Sequence, residues 1–169
     1  MKATQLLIDT LKRAQERLLD TLDQMNMEEA NKMPAPLIKS VDWLIWHTAR
    51  ELDLQISDLK NSQPLWTGEK WNDRFALDLP DDTQDFRHTP EEAAKVIVND
   101  RQLLVDYLDA AVKLTENYLT ALDEATLADV IDRNWTPAVT RQARIVSIVD
   151  DAVMHSGQAV YTRRWVIGK

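Results

Sequence analysis

Apolar residues recur along this chain at spacings of three and four in four separate stretches, and each reads as an amphipathic helix. In residues 4–25, Leu7, Leu11, Ala14, Leu18, Leu22 and Met25 form one stripe, and Lys12, Arg13, Glu16, Arg17 and Asp20 occupy the outer face. Pro34 and Pro36 stop any helix from running through the connection at 26–39. Ser40 is placed to cap a second helix over about 41–60, with Val41, Ile45, Thr48, Leu52, Ile56 and Leu59 as its core stripe. On its shoulder, His47 shares a face with Trp43, Leu44, Glu51 and Leu54.

Residues 61–88 break the pattern with Pro64, Gly68 and Pro80 and carry Trp66, Trp71, Phe75 and Phe86. A connection this long is often functional or separately packed, so it is expected either to wall a pocket or to plug one end of the core. His88, at its end, reads as an exposed loop histidine. Thr89-Pro90-Glu91-Glu92 is a strong helix start, with Thr at the cap, Pro at the first turn and Glu completing a capping box. No Gly or Pro follows until well past residue 122. The expectation is one helix over about 90–122 with Ile97, Leu104, Leu108, Ala111, Tyr118 and Leu122 on its core face. After a connection at 123–139, Thr140 caps a fourth helix over about 141–165, whose stripe is Ile145, Ile148, Val149, Ala152, Ala159 and Val160. Strand patterns are limited to short ambiguous runs. The predicted fold is all-α: a single-domain four-helix bundle, antiparallel or crossover, with long connections.

Composition narrows the function. The 169 residues suffice for one real core, and the formal charge of −8 argues against nucleic acid or an anionic membrane surface as partner. No apolar run approaches the length of a membrane span, and Met1 is not followed by the apolar core of a signal peptide, so the expected location is the cytoplasm. With no cysteine there is no disulfide, thiolate ligand or cysteine nucleophile, and any thiol chemistry needs a thiol brought in as substrate.

Candidate chemistry centres on the fourth helix. Asp151 and His155 are four residues apart and lie one above the other, while Asp150 is turned away. This spacing offers two metal ligands without bending the backbone, although an ordinary surface ion pair has the same spacing. Gln158 and Thr162 continue the polar line. Gly157 costs about 1 kcal/mol in a helix interior, which suggests close approach by another helix or a ligand.

Trp43-Leu44-Ile45-Trp46-His47 together with His155-Ser156-Gly157-Gln158 resembles the DinB-like superfamily, also called YfiT-like metal-dependent proteins. Helix order and length agree over nearly the whole chain. The pattern there is one His on the second helix and His-x-x-x-His-x-Gly-Gln on the fourth, so Asp151 stands where the first His of the pair is found. The resemblance implies a site of His47, Asp151 and His155 around one divalent metal, with an open position for water or substrate. A carboxylate in place of an imidazole leaves Zn, Ni, Fe and Mn as candidates. It also leaves open that the metal has been lost. Gln158 becomes an outer donor or a helix-contact residue, and Glu51 a candidate general base.

Two classes of function stay open at this point. The resemblance implies a metal-dependent enzyme acting on a small-molecule substrate. This would be a low-molecular-weight-thiol S-transferase in detoxification and stress response, or a metal-dependent hydrolase. A homodimer is implied on the same ground. The alternative is a non-catalytic bundle that binds a small ligand or a protein partner and whose metal site has decayed.

Overall fold

The computed structural model describes residues 2–169. Its long helices are α1 (Ala3–Asp23), α3 (Val41–Lys60), α7 (Arg101–Ala121) and α8 (Arg141–Ile167). Between them lie single turns: α2 (Met27–Ala30), α4 (Leu65–Gly68), α5 (Trp71–Phe75) and α6 (Pro90–Ala93). A two-stranded ribbon, β1 (Val130–Asp132) with β2 (Val139–Thr140), precedes α8, where the residue pattern predicts no definite strand. The long helices close around one main core. α3 packs along α7 and α8, and α1 along α8 and α7, while α1 touches α3 only slightly. The order around the bundle is therefore α1, α8, α3, α7. Helices α1 and α3, consecutive in the chain, sit on opposite corners, as do α7 and α8, so this is the crossover form of the bundle.

Local chemistry sets most helix starts. The Ser40 side chain accepts from the Trp43 N–H and Thr140 accepts from Ala143 N–H, so α3 and α8 begin where the caps predict. The expected stripe residues Leu11, Leu18, Leu22, Ile45, Leu52, Ile56, Leu104 and Leu108 are all fully buried.

The third helix is not one helix. The Thr89–Glu92 capping box forms and starts α6, but α6 ends after one turn. Residues 96–98 then lie outside any helix or strand: Val96 and Val98 are buried and Ile97, expected in the core, is exposed. Asn31 holds this segment, accepting from Val98 N–H and donating to its carbonyl. Asp100 then caps α7 by accepting from the amides of Gln102 and Leu103. Three consecutive β-branched residues favour an extended run with period two, and the Asn-Asp pair behind them supplies a new cap.

The long connection is tied to α3 by two polar anchors. Buried Asp53 accepts from the amides of Leu65 and Trp66 and from the Tyr107 hydroxyl. Buried Arg50 donates to the carbonyls of Asp81 and Thr83 and lies against the rings of Trp46 and Trp66. Trp66, Trp71 and Phe75 pack around Tyr107, so this part of the connection plugs the core. Phe86 stays exposed.

Candidate metal centre

Helix α3 and helix α8 pack against each other, and this contact brings His47 to Asp151 and His155. The His47 Nε2 lies 4.0 Å and the His155 Nε2 3.4 Å from the same oxygen, Asp151 Oδ2. One ligand atom from each of the three residues falls within 4.8 Å of the others. The two imidazoles meet edge to face, 4.6 Å between centroids. Asp150 points away and is exposed, as helical geometry requires.

Each imidazole is held by its other nitrogen. His47 donates Nδ1–H to Asp85 Oδ2 at 2.9 Å, with both side chains almost wholly buried. His155 donates Nδ1–H to Gln158 Oε1 at 2.8 Å. These bonds leave Nε2 of each ring as the nitrogen that faces Asp151. Gln158 is thus an acceptor, where an outer donor was one expectation. The Trp43 ring stacks on His47 at 4.4 Å and 16°, fixing its plane.

Asp85 is the residue that sequence reasoning missed. It belongs to a connection that also carries Asp78, Asp81 and Asp82, and nothing in the sequence separates it from them. It reaches His47 because Arg50 and Asp53 fasten the connection to α3. Arg50 also brings its Nε to 3.8 Å from Asp85 Oδ2.

Glu51 sits one turn after His47 and lines the cavity of about 320 Å³ that opens onto the three residues. Burial pushes its carboxyl above the usual range; nearby Asp85 and Asp151 add to this and His47 opposes it. Its carboxylate accepts a hydrogen bond from Gln55. Burial also works against charge on Asp151 and His155, but their mutual hydrogen bond and attraction win. Asp151 is held below, and His155 above, its ordinary value.

The donor set fits a divalent cation. Ligand atoms about 2.0–2.2 Å from one ion stand about 3–4 Å apart, and the two spacings from the Asp151 oxygen lie in that range. Two imidazoles and a carboxylate are joined nearby by Asp85 and Glu51, and Arg50 stands beside Asp85. Both outer imidazole nitrogens carry the partners that metal-bound histidines usually have. Two expectations fail. His88 is buried: its Nδ1 accepts from the Trp43 indole and its Nε2 pairs with Thr83, with the ring stacked on Trp46. Gly157 faces open space, with nothing within 4 Å of where a Cβ would stand, so no close approach explains it.

The family model of the DinB superfamily matches residues 10–159, which carry every residue of this site. The chain belongs to the DinB superfamily. A solved structure, described as that of the conserved protein of locus from Enterococcus faecalis, is 67% identical to this DinB chain and superposes with a TM-score of 0.97. The match covers 100% of this chain and 99% of that one. No functionally curated protein matches it. Within this DinB bundle, His47, Asp151 and His155 lie together as one group whose side chains could hold a metal ion.

Proposed function

We propose that this DinB-superfamily protein is a divalent-metal-dependent enzyme of small-molecule group transfer, with His47, Asp151 and His155 as the metal ligands. The superfamily is generally metal-binding. The observation that carries the reading is the pairing of both Nδ1 atoms with acceptors, which turns both Nε2 atoms toward one carboxylate oxygen. Three protein ligands with a cavity beside them match a catalytic centre and not a closed structural one.

A divalent ion supplies Lewis acidity at the cavity, which makes a water or a thiol easier to deprotonate. Asp85 and Gln158 hold the two imidazoles in the tautomer that leaves Nε2 free. Trp43 excludes water from one face of His47. Glu51 receives the proton from the incoming nucleophile, since its raised pKa brings it closer to the working pH. Water as nucleophile makes the protein a hydrolase. A low-molecular-weight thiol makes it an S-transferase, and the cysteine-free chain supplies no thiol of its own.

Activity on ester, amide and thiol-transfer substrates tests this. It is expected to vanish on chelation, to return on adding one equivalent of metal, and to fall at least 100-fold in Glu51→Gln with metal content intact. Activity that survives complete chelation rules the metal-dependent reading out, and metal-loaded protein inactive on all three substrate classes favours the ligand-binding bundle.

A further inference from the structure

A second hollow, of about 350 Å³, adjoins the first across Trp43 and His155, which line both. Its remaining wall comes from the strand of chain entering α3 and from the last turns of α8, chiefly Leu37, Lys39, Gln158 and Tyr161. Most of this lining is apolar and aromatic; Lys39 is its one lysine or arginine.

Lys39 is fixed in place. Its ammonium donates to the His88 carbonyl at 3.1 Å and stands 5.1 Å from the centre of the Trp43 ring. Its backbone carbonyl accepts from the Thr162 hydroxyl, which ties the segment to α8. No carboxylate lies within ion-pair distance of it among the described residues, although the chain has 28 acidic residues against 20 basic ones. Glu92 is the one acidic group that acts on it, from beyond contact range, while burial lowers its pKa. An ammonium donates three hydrogen bonds, and the protein takes one. A partly buried, unpaired cation in an aromatic-walled hollow of an acidic protein is a specific feature. It raises anion affinity locally where the overall field repels anions.

We infer that this hollow is an anion subsite, in which Lys39 binds the oxyanion, carboxylate or phosphate, of an aromatic or apolar ligand lying between Trp43 and Tyr161. Resting on the enzyme reading, the ligand's other end reaches past His155 into the cavity above Asp151. The substrate class is then a small organic acid or phosphate ester whose reacting group is a few bonds from its charge. Lys39 is a binding residue, and the reacting atoms lie on the far side of Trp43.

The test uses ¹⁵N-labelled, metal-free protein at constant ionic strength, titrated with benzoate, phenyl phosphate and uncharged benzamide. The Trp43 indole N–H and the amides of residues 37–44 and 158–162 report on the hollow. At least one of the two anions is expected to produce saturable shifts there, with benzamide at least tenfold weaker. Lys39→Met keeps the apolar stem over Trp43 and is expected to weaken the anion at least tenfold without changing benzamide binding. The tighter anion identifies a carboxylate or a phosphoryl ligand. Absence of saturation by either anion overturns the inference, and so does Lys39→Met binding them as the wild type does. No metal is present in the titration, so its outcome is separate from that of the metal reading.

Discussion

Substituting Asp85 separates metal support from fold support. Its carboxylate accepts the His47 Nδ1–H at 2.9 Å, with both groups shielded from water. Partners of this kind fix the ring's tautomer and raise its basicity, and their loss costs about 10–100-fold in metal affinity. At about 1.4 kcal/mol per tenfold, Asp85→Asn is expected to weaken binding by about 1.4–2.8 kcal/mol. Asparagine keeps an oxygen acceptor and the shape, so the loss reports the charge. Both substitutions remove the counter-charge of buried Arg50, and Asp85→Ala removes the acceptor as well. Breaking a buried pair costs about 3–5 kcal/mol. Here the pair is 3.8 Å apart and Arg50 keeps two backbone acceptors and two ring contacts, so the low end, about 3 kcal/mol, applies. Affinity is read by competition with a chromophoric chelator, and stability by urea unfolding of the metal-free protein. Asp85→Asn binding metal within twofold of wild type, or losing stability as Asp85→Ala does with no change in affinity, would refute the reasoning.

Two further predictions concern buried carboxylates away from the centre. Asp42 is fully buried with neither oxygen hydrogen-bonded; burial, only partly offset by Arg101, raises its pKa to about 8. The folded state therefore holds a proton that the unfolded state loses above about pH 4. Stability from this group is fully present below pH 4 and falls by up to about 1.4 kcal/mol per pH unit until pH 8, about 4 kcal/mol in all by pH 7. Asp42→Leu is expected to be more stable than wild type by a margin that widens between pH 4.5 and 8 in urea titrations; a constant margin contradicts this. Asp53→Ala strands two amides and a hydroxyl and is expected to cost about 3 kcal/mol, with faster hydrogen exchange at residues 64–88 and little change in α1. Uniform acceleration over the whole chain would show that Asp53 is not a local anchor.

The bundle was legible because its signals are local and periodic. Ser40 and Thr140 cap α3 and α8 as their chemistry requires, and the stripe residues of both helices are buried except Leu59 and Val160, which are half-buried. His47, Asp151 and His155 could be named from motif resemblance, while their meeting depends on α3 lying beside α8, which periodicity does not state. Asp85 was out of reach, since one aspartate among several in an irregular segment becomes specific only when Arg50 and Asp53 pin that segment down. His88 was misjudged for the same reason, because its partners Trp43, Trp46 and Thr83 are tertiary. The error at α6 was avoidable. Val96-Ile97-Val98 followed by Asn99-Asp100 carries a visible strand-like run and a fresh cap, outweighed in the reading by the absence of Gly and Pro.

Metal content by elemental analysis of untagged wild type, His47→Ala and Asp151→Ala, each reconstituted with Zn, Ni, Mn or Fe(II), tests the three-residue centre most directly. The account predicts close to one metal per wild-type chain and loss in both variants, because the ligands come from two helices and neither alone closes the site. Wild type that takes up no metal under any of these conditions, or variants that retain it, would contradict the assignment of His47, Asp151 and His155 as its ligands.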